Sequence, residues 1–320
     1  MTTEPVRSSD QLIERAIAIA SESRRKTIAV AAAQDVDVIG AVSQAEADGF
    51  LRGILAGDKE AIQRLAGEQQ IPIDRLEIID ERDVDRAAHT AVRLASEGNA
   101  DAIMKGFLPT SALLKTVLDK QYRLRGKNTL SHCAVLDIPG YHKLLNFTDG
   151  GMIVRPDWEQ KLQILENAMS VARALGLSPV KVAISAAVNE RTEKVTHTLS
   201  DVDFIVPRAS EQFDDIRIQA PLSFDVATSE KAAAACGVKG PVVADADIFL
   251  VDSIEECNII CKSLIQFAEA VFAGVIVGAR VPVSLVSRTD TVKNKKASLA
   301  LACVLSDYYM RTNLRDDGGY

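Results

Sequence analysis

Three features of this 320-residue sequence predict an α/β fold built from more than one core. Short apolar runs alternate with stretches of helical periodicity from residue 9 to residue 119, the pattern of a parallel sheet covered by helices on both faces. That rhythm is interrupted between 145 and 156, at Thr148-Asp149-Gly150-Gly151, and resumes afterwards. The chain is also longer than a single core normally fills.

Taken in order, residues 9–23 place Leu12, Ile13, Ala16, Ile17 and Ala20 at three- and four-residue spacing, which predicts a helix. Arg24-Arg25-Lys26 then suit the negative end of its dipole. A strand is expected at 27–33, a helix at 37–48 stopped by Gly49, a strand at 52–56, the turn Gly57-Asp58-Lys59 and a helix at 60–68. Strands at 76–79 and 102–104 flank a helix at 86–97, and Lys105-Gly106 lead to a helix at 110–119. Beyond the interruption come a helix at 157–175, a strand at 181–186, an irregular polar region at 189–214 and the segment Gln219-Ala220-Pro221-Leu222. A helix at 228–236, a strand at 248–251 and a long helix at 255–271 follow. Two apolar runs, 274–279 and 281–286, are broken between Arg280 and Pro282. A last helix at 295–309 carries Leu299, Ala302, Cys303 and Leu305 at core spacing.

The net charge of −7 argues against nucleic acid or an anionic membrane as the main partner. Five cysteines, 133, 236, 257, 261 and 303, include no Cys-x-x-Cys pair and are expected as reduced thiols of a cytoplasmic protein. Cys257 and Cys261 share a helix face, but no histidine stands near them in sequence, so no metal site is expected. The first residues lack the apolar core of a signal peptide, and no run is long enough for a membrane span.

The second apolar run ends abruptly in Ser287-Arg288-Thr289-Asp290 and opens a helix. Hydroxyls and a guanidinium at a strand's C-terminal edge stand where open α/β sheets take ligands. Two readings follow: ordinary helix capping, or an anion site at the helix N-terminus.

Several segments together resemble the phosphate acetyltransferase and phosphate butyryltransferase family, closer to its butyryl branch. They are 31–40, Gly57-Asp58-Lys59, 101–106, Leu130-Ser131-His132, Thr148-Asp149-Gly150-Gly151-Met152 with Pro156-Asp157, Ala220-Pro221-Leu222, Ala246-Asp247 through Asn258 and Lys262, and 274–279 through Ser287-Arg288. They run in the family's order over nearly the whole chain. Gly278-Ala279-x-x-Pro282-Val283 followed by Ser287-Arg288 is the most specific. The resemblance implies two α/β domains with an interdomain cleft, an isocitrate/isopropylmalate dehydrogenase-like architecture. Residues 1–147 with 281–320 would form one domain and 148–280 the other. It implies reversible transfer of a short acyl group, acetyl or butyryl, between coenzyme A and inorganic phosphate, giving an acyl phosphate. Acyl-CoA, phosphate and acyl phosphate would be its partners, with no cofactor, and the family suggests a homodimer or larger homo-oligomer.

On that resemblance Arg288 is expected to contact phosphate, its planar fork suiting two oxygens. Ser287 would donate to the sulfur or to the developing oxyanion. The family's acetyl branch has a carboxylate seven residues after the serine, with Glu just before it, and here Lys293 and Asn294 stand there. Neither accepts a proton near neutral pH as a carboxylate does. Asp290 could stand in as the base. Alternatively, cations including Lys293 lower the thiol pKa and no protein base is needed. A third possibility is a coenzyme A-binding protein with weakened or lost turnover.

Lys115 lies about where the acetyl branch has a phosphate-binding arginine, and a surface lysine is the competing reading. Lys105 leaves a strand end directly, and Thr110 would cap the helix that follows. Ser131 and His132 are further substrate-binding candidates, His132 against the commoner reading of a structural histidine. Thr148-Asp149 would cap the next helix or line the cleft. Asn258 shares a helix face with Lys262 in a segment that the family uses to hold the cleft, with Glu256-Cys257 where Ala-Gly is usual. A metal- and NAD(P)-dependent decarboxylating dehydrogenase would need clustered aspartates. Only Asp245 and Asp247 offer them, and alternation on a strand would send the two to opposite faces.

Overall fold

A computed structural model describes residues 4–287 and 289–314. They form two compact units, one of residues 9–127 with 272–314 and one of residues 4–8 with 128–271.

The first unit begins α1 (Ser9–Glu22), β1 (Lys26–Ala31), α2 (Val36–Ala47), β2 (Leu51–Gly57), α3 (Lys59–Glu68), β3 (Glu77–Asp80), α4 (Val84–Ser96), β4 (Ala102–Lys105) and α5 (Thr110–Val117). Every element expected between 9 and 119 is present. β1 and β4 are buried along nearly their whole length, as strands covered on both faces must be. An aspartate opens three of the helices. Asp35 accepts from the Val38 N–H at 3.0 Å, Asp58 from Ala61 at 3.0 Å and Asp83 from Arg86 at 2.8 Å, each satisfying a donor that the helix leaves open.

The second unit comprises β5 (Ser131–Asp137), β6 (Leu145–Thr148), α6 (Trp158–Ala174), β7 (Val180–Ser185), α7 (His197–Ser200), α8 (Val206–Gln212), β8 (Ile216–Leu222), α9 (Phe224–Thr228), α10 (Glu230–Cys236), β9 (Ile248–Leu250) and α11 (Ile254–Ala268). The chain then returns through β10 (Val271–Val277), β11 (Val283–Ser284) and α12 (Val292–Arg311).

In the first unit the strand order is β3-β2-β1-β4-β11-β10, parallel except that β10 runs antiparallel to β11. In the second it is β5-β6-β9-β7-β8, parallel except for β5 against β6. Strand pairing within each unit is therefore mixed, where the sequence predicts parallel pairing. The antiparallel pairs are β10–β11 and the hairpin β5–β6. The second occupies the stretch just before and into the interruption. Ser131, His132, Asn146 and Thr148 are polar residues in its buried positions, which hides the strand pattern. The expected boundary at 147/148 falls inside β6, and the one at 280/281 falls between β10 and β11.

The region 189–214 is not irregular but largely helical, with α7 and α8 joined by a wide π turn over Asp201–Ile205. Thr198, Asp201, Ile205 and Ala209 are buried at helical spacing. Two of those four are polar, so apolar periodicity does not reveal the stripe.

α12 is buried on all sides from Ala297 to Asp307, as expected of a helix apolar around its whole circumference. It packs on α1 and α2. One ion pair lies in this core: Lys26 Nζ meets Asp307 Oδ1 at 2.9 Å, with Lys26 0% and Asp307 6% exposed. Removing one partner strands a buried charge, so Asp307→Asn is expected to cost about 3–5 kcal/mol in urea unfolding. Lys26→Met with Asp307→Leu, which removes both charges, should recover most of that loss.

Candidate active site

In the first unit β1, β2, β4 and β11 run the same way, so their C-terminal ends share one edge. Ala32, just past β1, is in the left-handed region at φ 55°. The Ala31 and Ala32 carbonyls accept from the N–H groups of Gly106 at 2.9 Å and Phe107 at 2.6 Å. A β-carbon at Gly106 would press into those carbonyl oxygens, so only glycine fits there. Lys105 ends β4, is 7% exposed and donates to the Gly106 carbonyl at 3.2 Å. Its neighbour Met104 pairs with Ser284 of β11, so Lys105 and the segment after Ser284 leave the sheet side by side.

That segment turns tightly. Asp290 Oδ2 accepts the Ser287 N–H at 2.6 Å, and the Asp290 N–H returns to the Ser287 carbonyl at 3.2 Å. Ser287 Oγ lies 3.1 Å from Thr289 Oγ1 and takes the Thr289 N–H at 3.4 Å. Ser287 is exposed and Asp290 is buried. Arg288 lies outside the described residues. The cap of α12 is Thr291, which accepts from Asn294 N at 3.2 Å, so neither Ser287 nor Asp290 fills that place.

Lys293 is exposed on the first turn of α12. Asn294 is buried, its Oδ1 accepting the Phe272 N–H at 3.2 Å. Lys295, which sequence reasoning passed over as the start of a helix, is 1% exposed and donates to the Asp290 carbonyl. It stands in the polar run Lys293-Asn294-Lys295-Lys296, so spacing gives no sign of its burial. Thr110 is the first helical residue of α5 rather than its cap; Pro109 precedes it and no side chain caps the helix. Lys115 is exposed on the last turn of α5.

In the second unit the C-terminal ends of β6, β7, β8 and β9 likewise share an edge. Asp149, directly after β6, is 2% exposed and does not cap a helix; Asp157 caps α6 in a capping box with Gln160. Asp149 Oδ1 instead accepts from His132 N at 3.0 Å, Gly151 N at 2.9 Å and Met152 N at 3.1 Å, and Oδ2 from Ile153 N at 2.9 Å. Burial pushes its carboxyl up while those four donors pull the other way, and burial prevails.

Ser131 is 0% exposed and accepts from Asn167 Nδ2 at 2.9 Å. His132 is enclosed by the same loop: a β-carbon on Gly150 would lie 3.2 Å from His132 Nδ1 and 2.8 Å from Cys257 Sγ. Burial pushes the His132 imidazole down to about 4, so it is neutral near pH 7. Asn258 and Lys262 are both exposed on α11.

Much of this edge is filled from within. Lys161 Nζ bridges Asp201 at 2.9 Å and Asp252 at 2.8 Å, with His197 3.6 Å from Asp252. Glu256 accepts from Ser185 Oγ and, at 2.9 Å, from Asp252 N. At the opposite edge Asp245 and Asp247 do not diverge as expected. Residues 244–247 precede β9, and both carboxylates reach Lys143 Nζ at 2.6 Å. Among the described residues no group of three His, Cys, Asp or Glu is placed to hold a metal, and no helix is long and apolar enough to cross a membrane. Burial pushes the Cys133 thiol up to about 12 and Cys303 up as well; the adjacent Cys261 thiol and burial do the same to Cys257. None of the three is a thiolate nucleophile near neutral pH.

The family model described as "Phosphate acetyl/butaryl transferase" matches residues 81–303. The chain belongs to this family. It is 41% identical over 290 residues to a protein of Bacillus subtilis named "Probable phosphate butyryltransferase", covering 91% of this chain and 96% of that one. The crystal structure of a branched-chain phosphotransacylase from Enterococcus faecalis superposes with a TM-score of 0.79 at 30% identity, over 88% of this chain and 99% of the other. A 4-hydroxythreonine-4-phosphate dehydrogenase from Klebsiella pneumoniae, at 13% identity and a TM-score of 0.55 over 88% and 99%, shares the fold alone. The architecture is thus that of the dehydrogenase-like α/β class, and the chain is an acyltransferase of the phosphate acetyl/butyryl type with coenzyme A as a substrate.

The buried neutral His132 has a stability consequence. Its folded-state value lies below the ordinary 6.5, so the stability it contributes is complete above pH 6.5 and is lost as pH falls toward 4. Unfolding of the wild type should lose about 3 kcal/mol across that window from this residue, and His132→Gln should remove that part of the pH dependence.

Proposed function

We propose that the chain catalyses reversible transfer of a short acyl group, butyryl in preference to acetyl, between coenzyme A and inorganic phosphate at the strand-end turn carrying Ser287. The observation that supports this reading most is Ser287 held exposed by Asp290 at the end of β11, in a chain of this family.

In the forward direction a phosphate oxygen attacks the thioester carbonyl carbon. The carbon–sulfur bond breaks, and the coenzyme leaves as its thiolate. Ser287 Oγ donates to the carbonyl oxygen as it gains charge. Arg288 holds the phosphate dianion through two parallel hydrogen bonds. Lys105 and Lys293 add positive charge at the same unit's edge, with Lys115 and Thr110 further along as phosphate or coenzyme contacts. Charge of this sign lowers the thiol pKa, so the reverse reaction needs no carboxylate at Lys293 or Asn294. Asp290 acts by fixing Ser287.

In the second unit Asn258 and the loop after β6 supply coenzyme contacts, and His132 lies enclosed behind that loop. Ser131 and Asp149, buried and bonded within that unit, shape this surface from behind. A homodimer is the proposed working form, supported by Ile259 and Phe267, which stand 67% and 85% exposed on α11. A cytoplasmic location is supported by five free thiols.

Phosphate-dependent thiol release from butyryl-CoA tests the reading. Ser287→Ala is expected to lower kcat by about 10²-fold. Arg288→Ala should raise KM for phosphate by about 10-fold or more, as expected for a lost charge-assisted pair. Coenzyme binding without phosphate-dependent release would instead identify a protein that has lost turnover.

A further inference from the structure

The molecule holds two almost fully buried lysines in the first unit, and they are bonded differently. Lys26 meets a buried carboxylate, Asp307, at 2.9 Å, an ordinary internal ion pair. Lys295 is 1% exposed, yet its hydrogen bond goes to a backbone carbonyl, that of Asp290. Its carboxylate partner, Asp37 of α2, lies 3.7 Å away and is 45% exposed. A buried ammonium without a close buried counter-ion is costly to keep. The site of that cost is informative, because the carbonyl it grips belongs to the residue whose carboxylate holds the Ser287 N–H at 2.6 Å.

We infer that Lys295 is a positioning residue for acyl transfer, fixing Ser287 through Asp290. The chain of contacts runs from Asp37 to Lys295 Nζ, from there to the Asp290 carbonyl, and from the Asp290 carboxylate to the Ser287 N–H. Thr291 caps α12 at 3.2 Å, so Ser287, Asp290 and Thr291 are each tied by a hydrogen bond of their own. Lys295 itself, enclosed behind that turn, has no route to substrate. Its charge reinforces the positive end of α12, but its specific act is mechanical: it stops the Asp290 backbone from rotating and carrying Ser287 with it.

The inference rests on Ser287 contacting substrate, and a double-mutant cycle separates the two. Lys295→Met keeps the length of the side chain and removes the charge. Because a poorly compensated buried charge is lost, the melting temperature should hold or rise. The variant should lower kcat for phosphate-dependent thiol release by about 10- to 100-fold, with KM for butyryl-CoA changed by less than about 2-fold, as for a misplaced catalytic contact. In a Ser287→Ala background the same change should cost less than about 3-fold, since the contact it positions is already gone. Equal penalties in the two backgrounds would overturn the inference while leaving the role of Ser287 intact. A Ser287→Ala variant of full activity would overturn both. If Lys295→Met fails to fold, Lys295→Gln, which keeps a donor for the carbonyl, takes its place in the cycle. If neither folds, Lys295 is a structural residue and the inference falls.

Discussion

The candidate site depends on a carboxylate closing onto a backbone N–H three residues upstream. Asp290 Oδ2 lies 2.6 Å from Ser287 N, and that contact turns the chain between the end of β11 and the start of α12. Without it the segment would leave the sheet edge as a loose connection, and the serine hydroxyl would have no fixed direction. The turn draws its position from below as well. Pro282 and Val283 set β11 against β4, and Gly106 packs on the carbonyls past β1 with no room for a side chain. Three short, buried strands, β1, β4 and β11, thus end at one edge.

The charge balance follows from the same geometry. An acidic molecule that handles anions has to gather its cations locally. In the first unit Lys105, Lys293 and Lys295 lie at or behind the edge where β4 and β11 end. In the second unit the corresponding edge is largely occupied by internal pairs, Lys161 with Asp201 and Asp252, and Glu256 with Ser185. What stays distinctive there is the loop from Asp149 to Ile153, where one carboxylate organises four N–H groups and closes over a neutral histidine.

Elements whose apolar spacing was unbroken were legible in the sequence. The alternation from α1 to α5 is of that kind, as is the abrupt end of the apolar run before Ser287. The hairpin β5–β6 was not legible, because buried strand positions there carry Ser131, His132, Asn146 and Thr148, whose hydrogen bonds close only in three dimensions. The α7–α8 region failed for a related reason, Asp201 being buried against Lys161 from a distant helix. Ser287 could be singled out because family resemblance and strand-end position agreed on it. The part played by Asp290 could not be read, since a carboxylate that braces a turn and one that takes a proton look alike in a sequence. Lys295 was hidden similarly, its burial being a property of packing rather than of spacing.

The central claim is that Asp290 braces Ser287 rather than accepting a proton. The most direct measurement is the pH dependence of kcat/KM for wild type, Asp290→Asn and Asp290→Ala. An asparagine oxygen still accepts the Ser287 N–H, so the account predicts a profile of unchanged shape for Asp290→Asn, with activity within about 10-fold of wild type, and a much larger loss for Asp290→Ala. An Asp290→Asn variant as inactive as Asp290→Ala, with the acid limb of the wild-type profile gone, would contradict it.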